Sequence, residues 1–276
     1  MSSLLALGSA LFFGLGDFCG GIATRRLPVW WVAAGSQLLG LPVLVVGLAV
    51  VEATEVGLAD LGFGALGGVA GLVGLALLYA SLAAGTMSVV APITGAVAAA
   101  VPVVVDLALG TVLSGRQWLG VVVAVVAIVL LAGPGRVSLS PRLAGQAVGA
   151  GLAFAAFFVA LSATSVESGV WPLVGARAVT LPIAIGAAAL TARRAGGIPD
   201  WRGAVWIVGL TGVLDMAANV SLALGLQRGA LGVVSVLSSL YPAVTALVAI
   251  ALLGERPGRF EWVGITGAVT AAVLLA

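Results

Sequence analysis

Two opposite charges stand alone in long apolar runs of this chain: Arg177 within residues 170–192 and Asp215 within 203–226. An ionisable side chain in hydrocarbon is expensive, so each is a functional candidate by default. If both runs are helices, Arg177 lies roughly 6 Å from the bilayer midplane and Asp215 on it. Asn219 follows Asp215 by one helical turn and points from the same face. A guanidinium, a carboxylate and a carboxamide at one depth suit recognition of polar or charged groups on a solute. The alternative is an ion pair that fastens two helices and touches nothing else. The cost of burying such groups tips the reading toward recognition.

Other groups qualify less directly. Asp17 sits late in the first apolar run, in Gly14-Leu15-Gly16-Asp17-Phe18, where glycines bring another helix close and a carboxylate can be hydrogen-bonded near the interface. Asp106, followed by Thr111 and Ser114, reads as an interface residue. Ser238, Ser239 and Tyr241 flank Pro242 and either offer donors to a cavity or bond to their own helix. Pro42, Pro92, Pro182 and Pro242, with Pro102, each free a carbonyl and bend a helix, which makes the first four candidate hinges. Phe12, Phe13, Phe154, Phe157 and Phe158 lie deep, as packing residues or as cavity walls.

Much chemistry is excluded. The chain has no His and a single cysteine, Cys19, so no imidazole base, disulfide framework or metal site is expected, and no cofactor. No P-loop is present, so ATP is not the direct energy source. Gly62-x-Gly64-x-x-Gly67 matches a dinucleotide fingerprint but lies inside an apolar run, where close helix packing accounts for it. Asn219-Val-Ser221 matches a glycosylation acceptor in mid-membrane, and Arg25-Arg26 lacks the rest of a twin-Arg signal. A pI near 9.3 with a net charge of only +2 and no basic run longer than two gives no nucleic-acid signal.

The elements that must position these groups follow from composition. The chain is 62% hydrophobic and 8% charged, with mean hydropathy +1.25. Soluble domains are about 25% charged, so this is an all-α integral membrane protein. Ten spans fit, at about 4–23, 29–51, 61–84, 87–110, 117–133, 145–165, 170–192, 203–226, 231–253 and 260–276. The first is read as a retained helix, since no basic segment precedes it. Trp30, Trp31, Trp118, Trp171, Trp201 and Trp262 fall near span ends, as interfacial tryptophans do.

The spans repeat. Overlaying 85–132 on 229–276 without gaps pairs Gly85 with Gly229, Gly110 with Gly254 and Trp118-x-Gly120 with Trp262-x-Gly264, and 16 of 48 positions are identical. Trp30 pairs with Trp171 and Phe13 with Phe154, at an offset that implies a small insertion around 195–202. The reading is therefore two five-helix copies, 1–133 and 145–276, joined by a loop at 134–144. An odd number of spans per copy inverts one against the other, as in secondary transporters. Arg25, Arg26, Arg136, Arg142, Arg193, Arg194, Arg202, Arg256 and Arg259 fall in odd-numbered loops, and only Arg116 and Arg228 in even ones. That places the odd loops in the cytoplasm and both termini outside.

Phe13-Gly14, Tyr241-Pro242 and Leu253-Gly254-Glu255 ahead of Trp262-x-Gly264, on this doubled plan, resemble the EamA family of the drug/metabolite transporter superfamily. The resemblance covers nearly the whole chain. The first copy departs from it, with Thr111 where the second has Glu255 and Ser36 where it has Arg177. It implies a secondary carrier with a cavity between its halves, peripheral fifth and tenth spans, and a place in the cell membrane. Related small multidrug-resistance proteins carry an essential carboxylate in their first helix, which adds proton coupling as an alternative for Asp17, beside Asp215. The expected function is transport of a small metabolite (an amino acid, a drug-like or another polar or amphiphilic solute) by alternating access, as efflux. The alternatives are a lipid flippase and, further off, a membrane-embedded lipid-modifying enzyme. The expected partners are the solute and the bilayer. Substrate and oligomeric state are not legible.

Overall fold

The computed structural model describes residues 1–83, 87–131, 140–253 and 258–275. The repeat markers Gly85 and Gly254, Glu255, the arginines Arg136 and Arg256, and most of the expected connecting loop lie outside the described residues. Among the described residues there is no strand. The helices are α1 (Ser2–Thr24), α2 (Val29–Val50), α3 (Leu58–Ala83), α4 (Met87–Ala108), α5 (Gly115–Leu131), α6 (Pro141–Ser162), α7 (Trp171–Ala195), α8 (Val205–Leu226), α9 (Leu231–Ser238), α10 (Tyr241–Leu253) and α11 (Arg259–Leu275). A 3-10 turn, Val166–Ser168, precedes α7.

Local chemistry explains the ends. Ser140 caps α6 by accepting from Leu143 N at 3.3 Å, and Pro141 takes the first helical position, where its missing N–H costs nothing. Residues 141–144, read from sequence as the end of the connecting loop, are thus already helical. At α5, Ser114 and Gln117 form a reciprocal capping box. Asp106 accepts from Gly232 N at 2.8 Å and so caps α9 from another helix; Thr111 Oγ1 donates to its second oxygen.

The ninth expected span is not one continuous helix. It breaks at Ser239 and Leu240 between α9 and α10 because Pro242 has no N–H to offer the Ser238 carbonyl. The break is nevertheless short enough for 231–252 to cross a bilayer as one unit. Eight stretches are long and apolar enough to do so: Ser2–Thr24, Val29–Val50, Leu58–Ser81, Val90–Ala108, Pro141–Ser162, Trp171–Ala195, Val205–Leu226 and Leu231–Leu252. α5 is apolar but shorter, and α11 is 17 residues long.

Large apolar side chains such as Val46, Leu66 and Leu190 point outward and are more than half exposed, as lipid-facing residues must be. Inside, small residues let backbones meet. α3 runs against α6 and α7, α2 against α8 and α7, α1 against α8 and α10, and α4 against α6 and α9. α5 and α11 pair with each other, with Gly264 facing the Ala127 carbonyl and Gly120 facing Leu275. This arrangement leaves the middle of the other helices free to enclose a chamber.

Candidate functional site

The chamber has a volume of about 60 Å³, room for roughly four waters. Its polar wall is Asp17 of α1, Gln37 of α2, Arg177 of α7, Asp215 and Asn219 of α8, and Tyr241 of α10. The rest is apolar, with Phe13 of α1 and Phe154, Phe157 and Phe158 of α6. Neither α5 nor α11 contributes a lining residue.

Arg177 and Asp215 pair directly, Nη2 donating to Oδ2 at 2.7 Å, with side chains 16% and 20% exposed. α7 brings the guanidinium in beside Ala176, and α8 presents the carboxylate one turn before Asn219. The Asn219 carboxamide donates to the Asp215 carbonyl at 2.7 Å, which leaves its oxygen for the chamber. Arg177 Nε is buried with no hydrogen-bond partner. The pair is therefore close but does not use up the guanidinium's donors.

Asp17 lines the chamber from α1, which approaches α8 so closely that a Cβ on Gly16 would lie 3.6 Å from Asp215 N. The glycine-mediated approach expected around Asp17 is present. Among the described residues no hydrogen bond reaches its carboxylate, so the site holds two carboxylates and one guanidinium. No group of three or more potential metal ligands converges among the described residues.

Tyr241 lines the chamber and its hydroxyl makes a long contact to the Ala91 carbonyl, 3.4 Å away. Ser238 does not line it. Its hydroxyl is fully buried and faces the Ala6 carbonyl of α1 at 3.5 Å. On one unbroken helix Ser238 and Tyr241 would share a face, and the break at 239–240 removes that phase relation. Pro42, Pro92 and Pro182 lie inside α2, α4 and α7, and only Pro242 coincides with an interruption. None of the four lines the chamber. Phe12 points elsewhere, while the other four phenylalanines singled out do line it.

Sequence reasoning missed Gln37. Its side chain is 2% exposed, and its oxygen accepts from Thr180 Oγ1 at 2.6 Å, joining α2 to α7. The signal was present: a lone carboxamide in the long apolar run 29–51. Attention to full charges passed over it.

Fold and chamber together define a multi-pass helical membrane protein with ionisable groups around a central cavity. The chain belongs to the EamA-like transporter family, whose sequence model matches residues 1–133 and 143–276. This family, part of the drug/metabolite transporter superfamily, consists of membrane transporters and not enzymes, and its members act on small solutes. A solved crystal structure, described only as that of a protein, superposes with a TM-score of 0.72 at 16% identity, over 99% of this chain and 95% of its own. That likeness concerns the fold alone. No curated protein matches the chain.

Proposed function

We propose that this protein is a secondary transporter that moves a small polar or amphiphilic metabolite across the cell membrane by alternating access, as efflux. On this reading ten spans form two inverted five-helix copies, 1–133 and 145–276, joined by the loop at 134–144. Both termini lie outside. Arg177, Asp215, Asn219 and Tyr241 contact the solute, with Gln37 beside them, and Asp215 or Asp17 carries a coupling proton. Pro42, Pro92, Pro182 and Pro242 are the hinges.

One observation carries the proposal. The polar wall of the chamber draws on both proposed copies, Asp17 and Gln37 from the first and Arg177 and Asp215 from the second. A relative displacement of the copies would remake such a site and its exits together. At about 60 Å³ the chamber is too small for a metabolite, so loading requires the halves to part.

The test is a thermal-shift screen of detergent-purified protein against a broad metabolite panel. A ligand at 100 times its Kd stabilises the folded state by about 2.7 kcal/mol. A hit that disappears in Asp215→Asn and in Arg177→Gln would support recognition at this chamber. Survival of the hit in both variants would leave the pair a helix fastener. Silence from folded protein across the panel would count against a polar cargo and turn the search to lipids.

A further inference from the structure

We propose that the Asp60 carboxylate of α3, clasping Ser165 in the turn before α7, is a latch that holds shut the face built from residues 51–57 and 163–170. Releasing this clasp opens the chamber to that face. The inference rests on the alternating-access reading above.

The clasp is dense. Asp60 Oδ1 accepts from Ser165 N at 2.7 Å, and Oδ2 from Ser165 Oγ at 3.2 Å and from Gly57 N at 2.9 Å. The Asp60 residue is 6% exposed. The same turn is tied twice more. The Glu167 carbonyl accepts from Thr54 N at 3.0 Å, and Gln227 Nε2 donates to Thr164 Oγ1 and the Gly169 carbonyl. A carboxylate that satisfies three donors binds more strongly than neutral partners would.

Beneath the clasp, nothing but helix contact separates that face from the chamber. Gly64 of α3 lies against the Pro172 backbone and Gly175 of α7 against the Leu61 carbonyl, each too close for any side chain. Next come Gly68 and Ala176, which are already chamber wall. The α3–α7 seam therefore runs from Asp60 straight to the cavity.

A second seam closes the other end. α2 and α8 meet at Ser36, Gly40 and Gly212, beside the chamber residues Gln37 and Asp215. Under the proposed duplication this is the same contact made again, since the offset that takes Trp118 to Trp262 takes Gly68 to Gly212. The same offset takes Asp60 to Ala204, so no carboxylate stands at the equivalent place. Among the described residues, that end carries an exposed hydrogen bond from Arg26 Nη1 to the Gly203 carbonyl, 3.2 Å, and the edge-on pair Trp31 and Trp201, 5.8 Å between centroids. The Asp60 clasp is therefore a device of the α3–α7 seam that the duplication does not repeat.

The experiment uses the full chain in detergent, with Cys19 replaced by Ala and one reporter cysteine per seam. Leu173→Cys reports on α3–α7, because Leu173 is 2% exposed and lines the chamber; Val208→Cys reports on the other seam, at 0% exposure against Gly35. The readout is the rate of modification by a water-soluble methanethiosulfonate. Asp60→Asn should speed modification at 173 at least tenfold while 208 stays protected, and Ser165→Ala should give a smaller rise. Gly64→Leu, a wedge in the seam, supplies the reference for an opened α3–α7. Modification at 173 with the wedge but not with Asp60→Asn would overturn the latch and leave alternating access standing. An equal rise at both reporters would also overturn it, since Asp60 would then only support the fold. Protection at 173 even with the wedge would sink the latch and the opening seam together.

Discussion

At the scale of single residues, the informative fact is a count of unlike charges. Two carboxylates and one guanidinium share the chamber, and among the described residues the guanidinium pairs with Asp215 alone. Removing one partner of a buried pair strands the other charge and typically costs about 3–5 kcal/mol, whereas an apolar pair of similar volume is often tolerated. We therefore expect Asp215→Ala to lower stability by about 3 kcal/mol and Arg177→Met/Asp215→Leu to recover most of it. Transport should be absent from both. Thermal unfolding and uptake into proteoliposomes separate the two roles, and transport by the double variant would reduce the pair to structure. Gln37 makes a second case. Gln37→Leu removes one interhelical hydrogen bond, worth about 1 kcal/mol net, and a polar group from the chamber wall. Its expected signature is a raised KM with nearly unchanged thermal stability. Thr180→Val, which only frees the carboxamide to turn, should raise KM less. Equal effects would make the Gln37–Thr180 contact a fastener.

At the scale of elements, the breaks and contacts decide behaviour. Spans were legible because hydrocarbon demands long apolar helices, and the Arg177–Asp215 meeting was legible because depth along a helix follows from residue count. Ser238 was not, because its face depends on whether Pro242 kinks or breaks the helix, and that depends on whether neighbours hold Leu240. Nor was the clasp at Asp60, where a residue in the first turn of α3 meets a turn 105 positions away. No periodicity encodes such a pairing. Gly175 offers a direct test of the packing argument. A Cβ added there would clash with the Leu61 carbonyl, so Gly175→Ala must push α3 from α7. Overpacking of this kind costs about 1–3 kcal/mol. Gly186, with open space around it, is the control: Gly186→Ala should leave unfolding unchanged or slightly favour the helix. Equal melting of the two variants would show that the seam yields freely.

For the whole molecule, the proposed latch acquires a direction once the faces are assigned. The arginine-bearing loops, with Arg25, Arg26, Arg193, Arg194 and Arg202, share the end tied by Arg26 and Gly203, whereas the Asp60 clasp belongs to the end with Arg116 and Arg228. On the proposed orientation, with both termini outside, the clasp faces outward. On the proposed efflux reading, a latch on the outer face would stay closed while solute loads from the cytoplasm and release to let it leave. Two exposed positions test that assignment, Glu55 beside the clasp and Asp200 before α8. In the cysteine-free chain, Glu55→Cys should react with a membrane-impermeant maleimide on intact cells, and Asp200→Cys only after permeabilisation. The opposite pattern would turn the molecule over. The clasp would then guard the cytoplasmic side, and the same latch would argue for uptake.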